Sequence, residues 1–363
     1  MRIVHVVGAR PNFMKAAPVY DALSQHAQAE QVLVHTGQHY DSNMSEVFFR
    51  DLSMPLPDMN LEVGSASHAA QTAQVMIRLE KVISSPRPDL VLVYGDVNST
   101  LAAALVCAKM HIPVGHVEAG LRSFDRSMPE EINRKLTDQM ADLLFTPSED
   151  ADHNLKHEGI GEEKIHLVGN TMIDTLTRLL PQAASHWPPE LDSLKDEDGQ
   201  AAPFALVTLH RPANVDDSKT LADILQALQH ISSQIPVVFP VHPRTRKKLG
   251  ELTGPGPKPG LHLTQPIGYL GFLALQQKAA MVMTDSGGIQ EETTYLGVPC
   301  LTLRENTERP ITVTMGTNIL VGKDMNRLQA EADKILAGGG KKGQVPELWD
   351  GRSGPRIAKI IAG

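Results

Sequence analysis

Two sets of residues in this chain have the types and spacing for chemistry: a glycine pair between a strand-like run and a helix-like segment, and carboxylates and cations that follow short apolar runs. The glycines lie in Thr284-Asp285-Ser286-Gly287-Gly288-Ile289-Gln290-Glu291-Glu292, after Ala280-Met281-Val282-Met283 and before Gly297. A strand that stops at Asp-Ser-Gly-Gly and restarts as a helix presents free backbone N–H groups at the positive end of the helix dipole, and the glycines let an anion approach closely. Ser286, Gly287 and Gly288 are therefore expected to cradle the diphosphate of a nucleotide or nucleotide sugar. An ordinary strand-to-helix turn would use the same glycines for their dihedrals. Glu292 separates the two readings, because a carboxylate one turn into such a helix can accept hydrogen bonds from ribose hydroxyls; on a plain helix it would only be solvated.

The charged residues recur at strand ends. Gly8-Ala9-Arg10-Pro11-Asn12-Phe13-Met14-Lys15 brings two cations after the first strand. It is not a G-x-G-x-x-G pattern, so no nicotinamide or flavin is expected. Asp96 follows the third strand in Gly95-Asp96-Val97-Asn98-Ser99-Thr100, Glu118 follows the fourth, and Pro129-Glu130-Glu131-Ile132-Asn133-Arg134 opens a helix. In the second half His210-Arg211, His242-Pro243-Arg244 and the run from Arg304 to Arg309 each follow a strand. Singly, each has a plainer reading: Asp96 and Ser99 as caps of a helix starting near Thr100, Glu130 and Glu131 as first-turn carboxylates, Arg122 and Arg134 as their surface partners. Jointly, carboxylates at the strand ends of one half and cations with a glycine cradle in the other are not explained by capping.

The elements that must position these residues alternate. Strands are expected at Ile3–Val7, Gln31–His35, Leu90–Tyr94, Val114–Val117, Leu143–Thr146 and Ile165–Val168, then at Phe204–Leu209, Val237–Pro240, Leu261–Thr264, Met281–Thr284, Cys300–Leu303 and Asn318–Val321. Six and six, mostly separated by helical patterns, imply an α/β chain of two parallel sheets, residues 1–180 and 181–363, with the polar, Pro-rich stretch from about Leu180 to Pro203 as linker. The closing residues read as a loop and a short helix able to return to the first domain. Ligands of such sheets bind beyond the carboxyl ends of the strands, so a site in the cleft between the domains is expected.

Composition narrows the partners. The 363 residues carry a net charge of −8 without a basic block, which argues against nucleic acid. No apolar run approaches the ~20 residues of a membrane span, and the first apolar segment, Ile3–Val7, is too short for the core of a signal peptide, so a cytoplasmic protein with no membrane partner is expected. Cys107 and Cys300 sit in apolar settings that suit buried, reduced thiols rather than a disulfide or a metal site.

Taken together, these residues make the chain resemble a known family. Gly8-Ala9-Arg10-Pro11, His35-Thr36-Gly37-Gln38-His39, Tyr94-Gly95-Asp96, His116-Val117-Glu118-Ala119-Gly120-Leu121-Arg122, Pro129-Glu130-Glu131-Ile132-Asn133-Arg134, the 284–292 stretch and Thr307-Glu308-Arg309-Pro310 together look like the non-hydrolysing UDP-N-acetylglucosamine 2-epimerases. The resemblance implies a glycosyltransferase-B-like pair of Rossmann-like domains and a homodimer. It also implies interconversion of UDP-N-acetylglucosamine and UDP-N-acetylmannosamine for cell-surface polysaccharide precursors, with no cofactor and no metal. It places acid–base or cation-stabilising roles on Asp96, Glu118 and Glu130, with Glu131 the adjacent alternative, and matches Lys15 and His210 to functional positions. Arg10, His242, Ser286 and Glu292 match UDP-binding positions, Phe272 resembles the residue beside the uracil, and Arg244 and Arg309 complete the expected UDP-sugar contacts.

The sequence departs from the family in three places. Pro212-Ala213-Asn214-Val215 replaces an arginine and a glutamate that often follow His210-Arg211. Tyr40-Asp41 and Ser65-Ala66-Ser67-His68 lack the pattern with which many relatives bind a second, activating UDP-sugar. Arg122-Ser123-Phe124 and Met128-Pro129-Glu130 resemble relatives acting on a diacetamido uronic acid sugar, which keeps that substrate open. A UDP-dependent glycosyltransferase and a hydrolysing epimerase would share much of this inventory, although the first needs an acceptor and the second tends to carry an arginine after the aspartate where Val97 stands. A catalytically silent nucleotide-sugar sensor would need no such convergence of carboxylates.

Overall fold

Apolar runs in this chain become strands covered on both faces. The computed structural model describes the chain outside residues 39–48, 50, 242 and 254–258, and only the backbone of residues 10, 243, 244 and 251–253. Among the described residues two compact units form, Met1–Arg178 with Glu347–Gly363, and Leu179–Pro346.

In the first unit β1 (Arg2–Val7), β2 (Glu30–His35), β3 (Met59–Asn60), β4 (Leu90–Tyr94), β5 (Val114–Val117), β6 (Leu143–Thr146) and β7 (Ile165–Leu167) pair in the order β3-β2-β1-β4-β5-β6-β7, all parallel. All five residues of β4 are buried, as a central parallel strand requires. In the second unit β8 (Ala205–Thr208), β9 (Val237–Pro240), β10 (Leu261–Thr264), β11 (Met281–Thr284), β12 (Cys300–Thr302) and β13 (Asn318–Leu320) pair in the order β10-β9-β8-β11-β12-β13, also parallel. That is the Rossmann order, and the first sheet extends it by one strand. The period of two along each strand divides the core. Ala205, Val207, Phe239, Met281 and Met283 pack with Leu221, Ile224 and Leu228 on one face, whereas Leu206, Val238 and Val282 pack with Leu275 on the other.

Two expectations need correction. β3 is a seventh strand in the first sheet; its two residues are exposed and carry no apolar run. The Pro-rich stretch expected as a linker is part of the second unit: Pro189–Leu194 makes a short 3₁₀ helix whose Leu191 and Leu194 lie in the core with Phe204 and Leu275.

In the first unit the helix Ser353–Ala362 packs on the helix Arg10–Ser24, so closely that a Cβ on Gly354 would stand 2.4 Å from the Pro18 carbonyl oxygen. Gly354 N donates to Asp174 Oδ2 at 2.7 Å, and the Trp349 indole donates to Pro147 O at 2.9 Å. Cys107 and Cys300 are free and buried, and burial pushes their thiols up to about 12 and about 11. No helix among the described residues is long and apolar enough to cross a membrane.

Candidate active site

In doubly wound sheets ligands meet the strand ends on either side of the point where the order reverses. In the first unit that point lies between β1 and β4; Gly8, Ala9 and the start of the helix Arg10–Ser24 follow β1, Gly95 and Asp96 follow β4, and Glu118 follows β5 alongside. Asn12 ties the two turns: its Oδ1 accepts from Gly8 N at 3.1 Å and Ala9 N at 3.0 Å, and its Nδ2 donates to Tyr94 O at 2.7 Å. Lys15, on the helix Arg10–Ser24, forms an ion pair with Glu118, and the two side chains are only 6% and 5% exposed. Glu118 sits at φ +74°, a left-handed conformation that costs a residue with a side chain on the order of 1–3 kcal/mol. The Glu118 and Ala119 amides both donate to Phe145 O at 3.1 Å, which holds the residue there. Gly95 has φ +63°, and a Cβ on it would stand 2.7 Å from Lys15 Nζ and 3.2 Å from Glu118 Oε2. A side chain at 95 would therefore displace the ion pair.

Asp96 is paired with Arg134, which also holds Glu131 at 2.8 Å. Glu131 is buried and accepts from Ser123 N at 2.8 Å, Ser123 Oγ at 3.0 Å and Phe124 N at 3.1 Å. Burial pushes its carboxyl up, but Arg134 and Ser123 outweigh burial and hold it below the usual carboxylate range. Glu131 thus braces the 123–124 turn, while Glu130 is half-buried on the first turn of the helix Pro129–Met140.

In the second unit the order reverses between β8 and β11. His210 follows β8, and its side chain is 64% exposed. Asp285 follows β11, fully buried, and accepts from His210 N at 3.2 Å, Arg211 N at 3.0 Å and Asn214 Nδ2 at 2.9 Å, with His210 Nδ1 at 3.0 Å. Burial pushes the Asp285 carboxyl up, yet these partners, His210 first, hold it below the usual range. The helix Gly287–Leu296 starts at the glycine pair, and among the described residues no side chain caps it. A Cβ on Gly287 would stand 2.3 Å from Arg309 Nη1, so the guanidinium lies against the helix start. Arg309 itself is held by Glu291 at 2.9 Å and by Glu308, which takes Arg304 at 2.6 Å.

Glu292 is 1% exposed and accepts from the Tyr269 hydroxyl at 2.9 Å. Burial, reinforced by neighbouring Glu291, pushes its carboxyl up to about 7, with Tyr269 opposing. The folded chain therefore binds this proton more tightly than the unfolded one. The stability linked to it is fully present below pH 4.5 and is lost as pH rises toward about 7. At about 1.4 kcal/mol per pKa unit the ligand-free protein loses roughly 3 kcal/mol. Glu292→Gln is expected to match the wild type near pH 5 and to exceed its stability by that amount near pH 8. Urea unfolding at the two pH values checks this, and an offset that is the same at both would sink it.

The structure brings Lys15, Asp96, Glu118 and Glu131 to the strand ends of the first unit, and His210, Ser286, Gly287, Gly288 and Arg309 to those of the second. Phe272 lies on the helix Tyr269–Lys278, partly buried against the core that holds Phe204 and Leu275. His242 lies outside the described residues, and so do the side chains of Arg10 and Arg244. Two plainer readings of the sequence fail. The helix Asn98–Lys109 begins with Val97 at its cap and Ser99 inside it, so neither Asp96 nor Ser99 caps it. Arg122 and Arg134 are buried at 1% and 2% exposure, the first paired with Asp138 at 2.7 Å and Glu158 at 2.7 Å. Sequence reasoning missed Asn12 and Asp285 as organisers of the two sites. Their one signal was position: each is a short polar side chain just past a strand, able to bond backbone across the turn.

The chain is similar to known proteins over nearly its whole length. The family profile described as UDP-N-acetylglucosamine 2-epimerase matches residues 21–362. The UDP-N-acetylglucosamine 2-epimerase of Methanococcus maripaludis is 41% identical over 363 residues, 99% of this chain and 97% of that protein. The UDP-2,3-diacetamido-2,3-dideoxy-D-glucuronate 2-epimerase of Pseudomonas aeruginosa is 42% identical over 367 residues, 100% of this chain and 99% of that protein. The crystal structure of Methanocaldococcus jannaschii UDP-GlcNAc 2-epimerase in complex with UDP-GlcNAc and UDP matches with a TM-score of 0.88 at 41% identity, covering 100% of this chain and 99% of that one.

Proposed function

The chain belongs to the UDP-N-acetylglucosamine 2-epimerase family, and from that premise we propose that it interconverts UDP-N-acetylglucosamine and UDP-N-acetylmannosamine. The full-length identity to the Methanococcus enzyme of that name carries the reading. The proton on sugar carbon 2 is barely acidic, because that carbon bears an acetamido group rather than lying beside a carbonyl. It becomes acidic only as the carbon 1–oxygen bond to UDP breaks and the ring takes on oxocarbenium character. A carboxylate then takes the proton, leaving a glycal and UDP; re-addition of UDP with protonation of carbon 2 from the other face gives the epimer.

The chemistry needs carboxylates for the proton and for the cation, a task that suits Glu118, Asp96 and Glu130. Glu131, committed to its turn, suits bracing. It also needs preorganised donors for the departing diphosphate, a task that suits Lys15, His210, Arg309 and the amides of Gly287 and Gly288. Glu292 suits the ribose, and Arg10, His242, Arg244 and Phe272 complete the proposed contacts. The same kinship supports a homodimer in the cytoplasm.

The Pseudomonas relative favours a second reading, in which the substrate is the diacetamido uronic acid sugar. Proton NMR of each UDP-sugar with the purified protein in D₂O, without acceptor or added cofactor, separates the two. The expected result is a manno-configured UDP-sugar from UDP-N-acetylglucosamine with deuterium at carbon 2. Turnover of only the uronic acid sugar would establish the second reading, free N-acetylmannosamine would mean hydrolysis, and neither sugar reacting would overturn both.

A further inference from the structure

Three successive backbone carbonyls, at the last residue of β4 and in the turn that follows it, are each held by side chains from elsewhere in the first unit. Tyr94 O accepts from Asn12 Nδ2 at 2.7 Å and Thr100 Oγ1 at 2.9 Å, Gly95 O from His116 Nε2 at 2.8 Å, and Asp96 O from Asn133 Nδ2 at 2.9 Å. Tyr94 and Gly95 are buried and Asp96 is half-buried, so these carbonyls need partners from the protein; three consecutive ones bonded to side chains fix this turn in one geometry. His116 is the middle tether and comes from β5, the strand that ends one residue before Glu118. A carbonyl only accepts, so the hydrogen is on Nε2.

Asp138 sets the ring from the other side. It is fully buried on the helix Pro129–Met140, its Oδ1 lies 2.6 Å from His116 Nδ1, and its Oδ2 accepts from Gly120 N at 3.1 Å and lies 2.7 Å from Arg122 Nη1. Burial pushes its carboxyl up, but His116 and Arg122 outweigh burial and keep it an ionised acceptor. Gly95, the residue tethered by His116, is also the one whose missing side chain makes room for Lys15 and Glu118, and its peptide leads into Asp96. Any shift of that peptide moves all three groups.

We propose that His116, oriented by Asp138, is a positioning residue for the epimerisation: through its hydrogen bond to the Gly95 carbonyl it sets Asp96 and the Lys15–Glu118 pair, without touching the sugar itself. The proposal rests on the epimerase reading above. A misplacement of about 1 Å at reacting groups lowers rates on the order of 10²-fold. His116→Leu is accordingly expected to lower kcat about 10²-fold with KM within about threefold of wild type, because apart from Lys15 the donors proposed for the diphosphate, His210, Arg309 and the Gly287 and Gly288 amides, belong to the second unit. His116→Gln extends an amide N–H toward the place of Nε2 and is expected to recover about tenfold of the loss. Asp138→Asn presents an N–H to Nδ1 while its oxygen still serves Arg122 and Gly120, which leaves hydrogen on Nε2; it is expected to retain at least about a tenth of wild-type kcat.

Three results would overturn the proposal. One is His116→Leu at wild-type kcat. Another is His116→Gln as slow as His116→Leu, which removes the hydrogen bond as the cause. The third is Asp138→Asn as slow as His116→Leu, which would make the pair a proton relay rather than a tether. If the leucine variant does not fold, the glutamine and asparagine variants decide the matter. A crystal structure of His116→Gln is expected to keep the Gly95–Asp96 turn, and one of His116→Leu to lose it. An unmoved turn in His116→Leu overturns the proposal whatever the sugar, whereas a wild type inert toward both sugars is a failure of the epimerase reading alone.

Discussion

Glu118→Gln is expected to lower kcat about 10³-fold, the middle of the range for removing a positioned acid–base group. The same change is expected to destabilise the first unit, because it leaves Lys15 as a buried cation without its ion pair; breaking such a pair on one side costs about 3–5 kcal/mol. Activity and stability can be separated by adding Lys15→Met, which removes the stranded charge. The double variant is expected to regain most of the stability and none of the activity, since packing replaces the ion pair but nothing replaces the carboxylate. Turnover followed by NMR and urea unfolding of the two single variants and the double check both halves. A glutamine variant within tenfold of wild-type kcat would remove Glu118 from the chemistry, and strictly additive stability losses would mean that the two side chains are not coupled.

Asp285→Ala is expected to be the most damaging single change in the second unit. The carboxylate serves the backbone amides of His210 and Arg211 and the side chains of Asn214 and His210, and each loses this acceptor when it is removed. Stranding several donors around a buried cavity costs about 3–5 kcal/mol. Because the loop that presents His210 hangs from this carboxylate, UDP binding is expected to weaken at least tenfold, roughly 1.4 kcal/mol. Asp285→Asn keeps one acceptor oxygen and is expected to fall between the two. Calorimetric titration with UDP and urea unfolding read the two effects, and alanine-variant binding equal to wild type would show that the loop holds its place without Asp285. The pH dependence runs opposite to that of Glu292: the Asp285 carboxyl is held low, so its stabilisation is present above pH 3.8 and is lost as pH falls through its depressed pKa.

What could be read from the sequence was what is local. Twelve strands were legible because each is a short, nearly unbroken apolar run such as Leu90-Val91-Leu92-Val93-Tyr94, and the alternation with helices dictates parallel pairing. β3 was not legible, because Met59 and Asn60 pair only where β2 passes them, and no apolar pattern announces that. The stretch before Phe204 read as a linker because prolines and charges dominate it, yet Leu191 and Leu194 were enough to anchor it in the core. The same limit applies to the charged residues. That Asp96, Glu118 and Lys15 follow strands could be read from spacing, whereas Arg134 bridging Asp96 and Glu131, or Asp285 gathering three residues some seventy positions earlier, depends on contacts between distant segments.

The packing of Ser353–Ala362 on Arg10–Ser24 has a consequence for the order in which the protein is made. The second unit is continuous from Leu179 to Pro346, so every residue of its sheet has left the ribosome before the first unit has all of its parts. During that interval the helix Arg10–Ser24 lacks its cover at Pro18, Asp174 lacks the Gly354 amide, and the Pro147 carbonyl lacks the Trp349 indole. Domains generally fold as they emerge, the amino-terminal one first, at about 5–20 residues per second. Of the two units, the one that begins first is the last to close, and for roughly ten to thirty seconds of synthesis at that rate the helix Arg10–Ser24 stands without the helix Ser353–Ala362 that covers it.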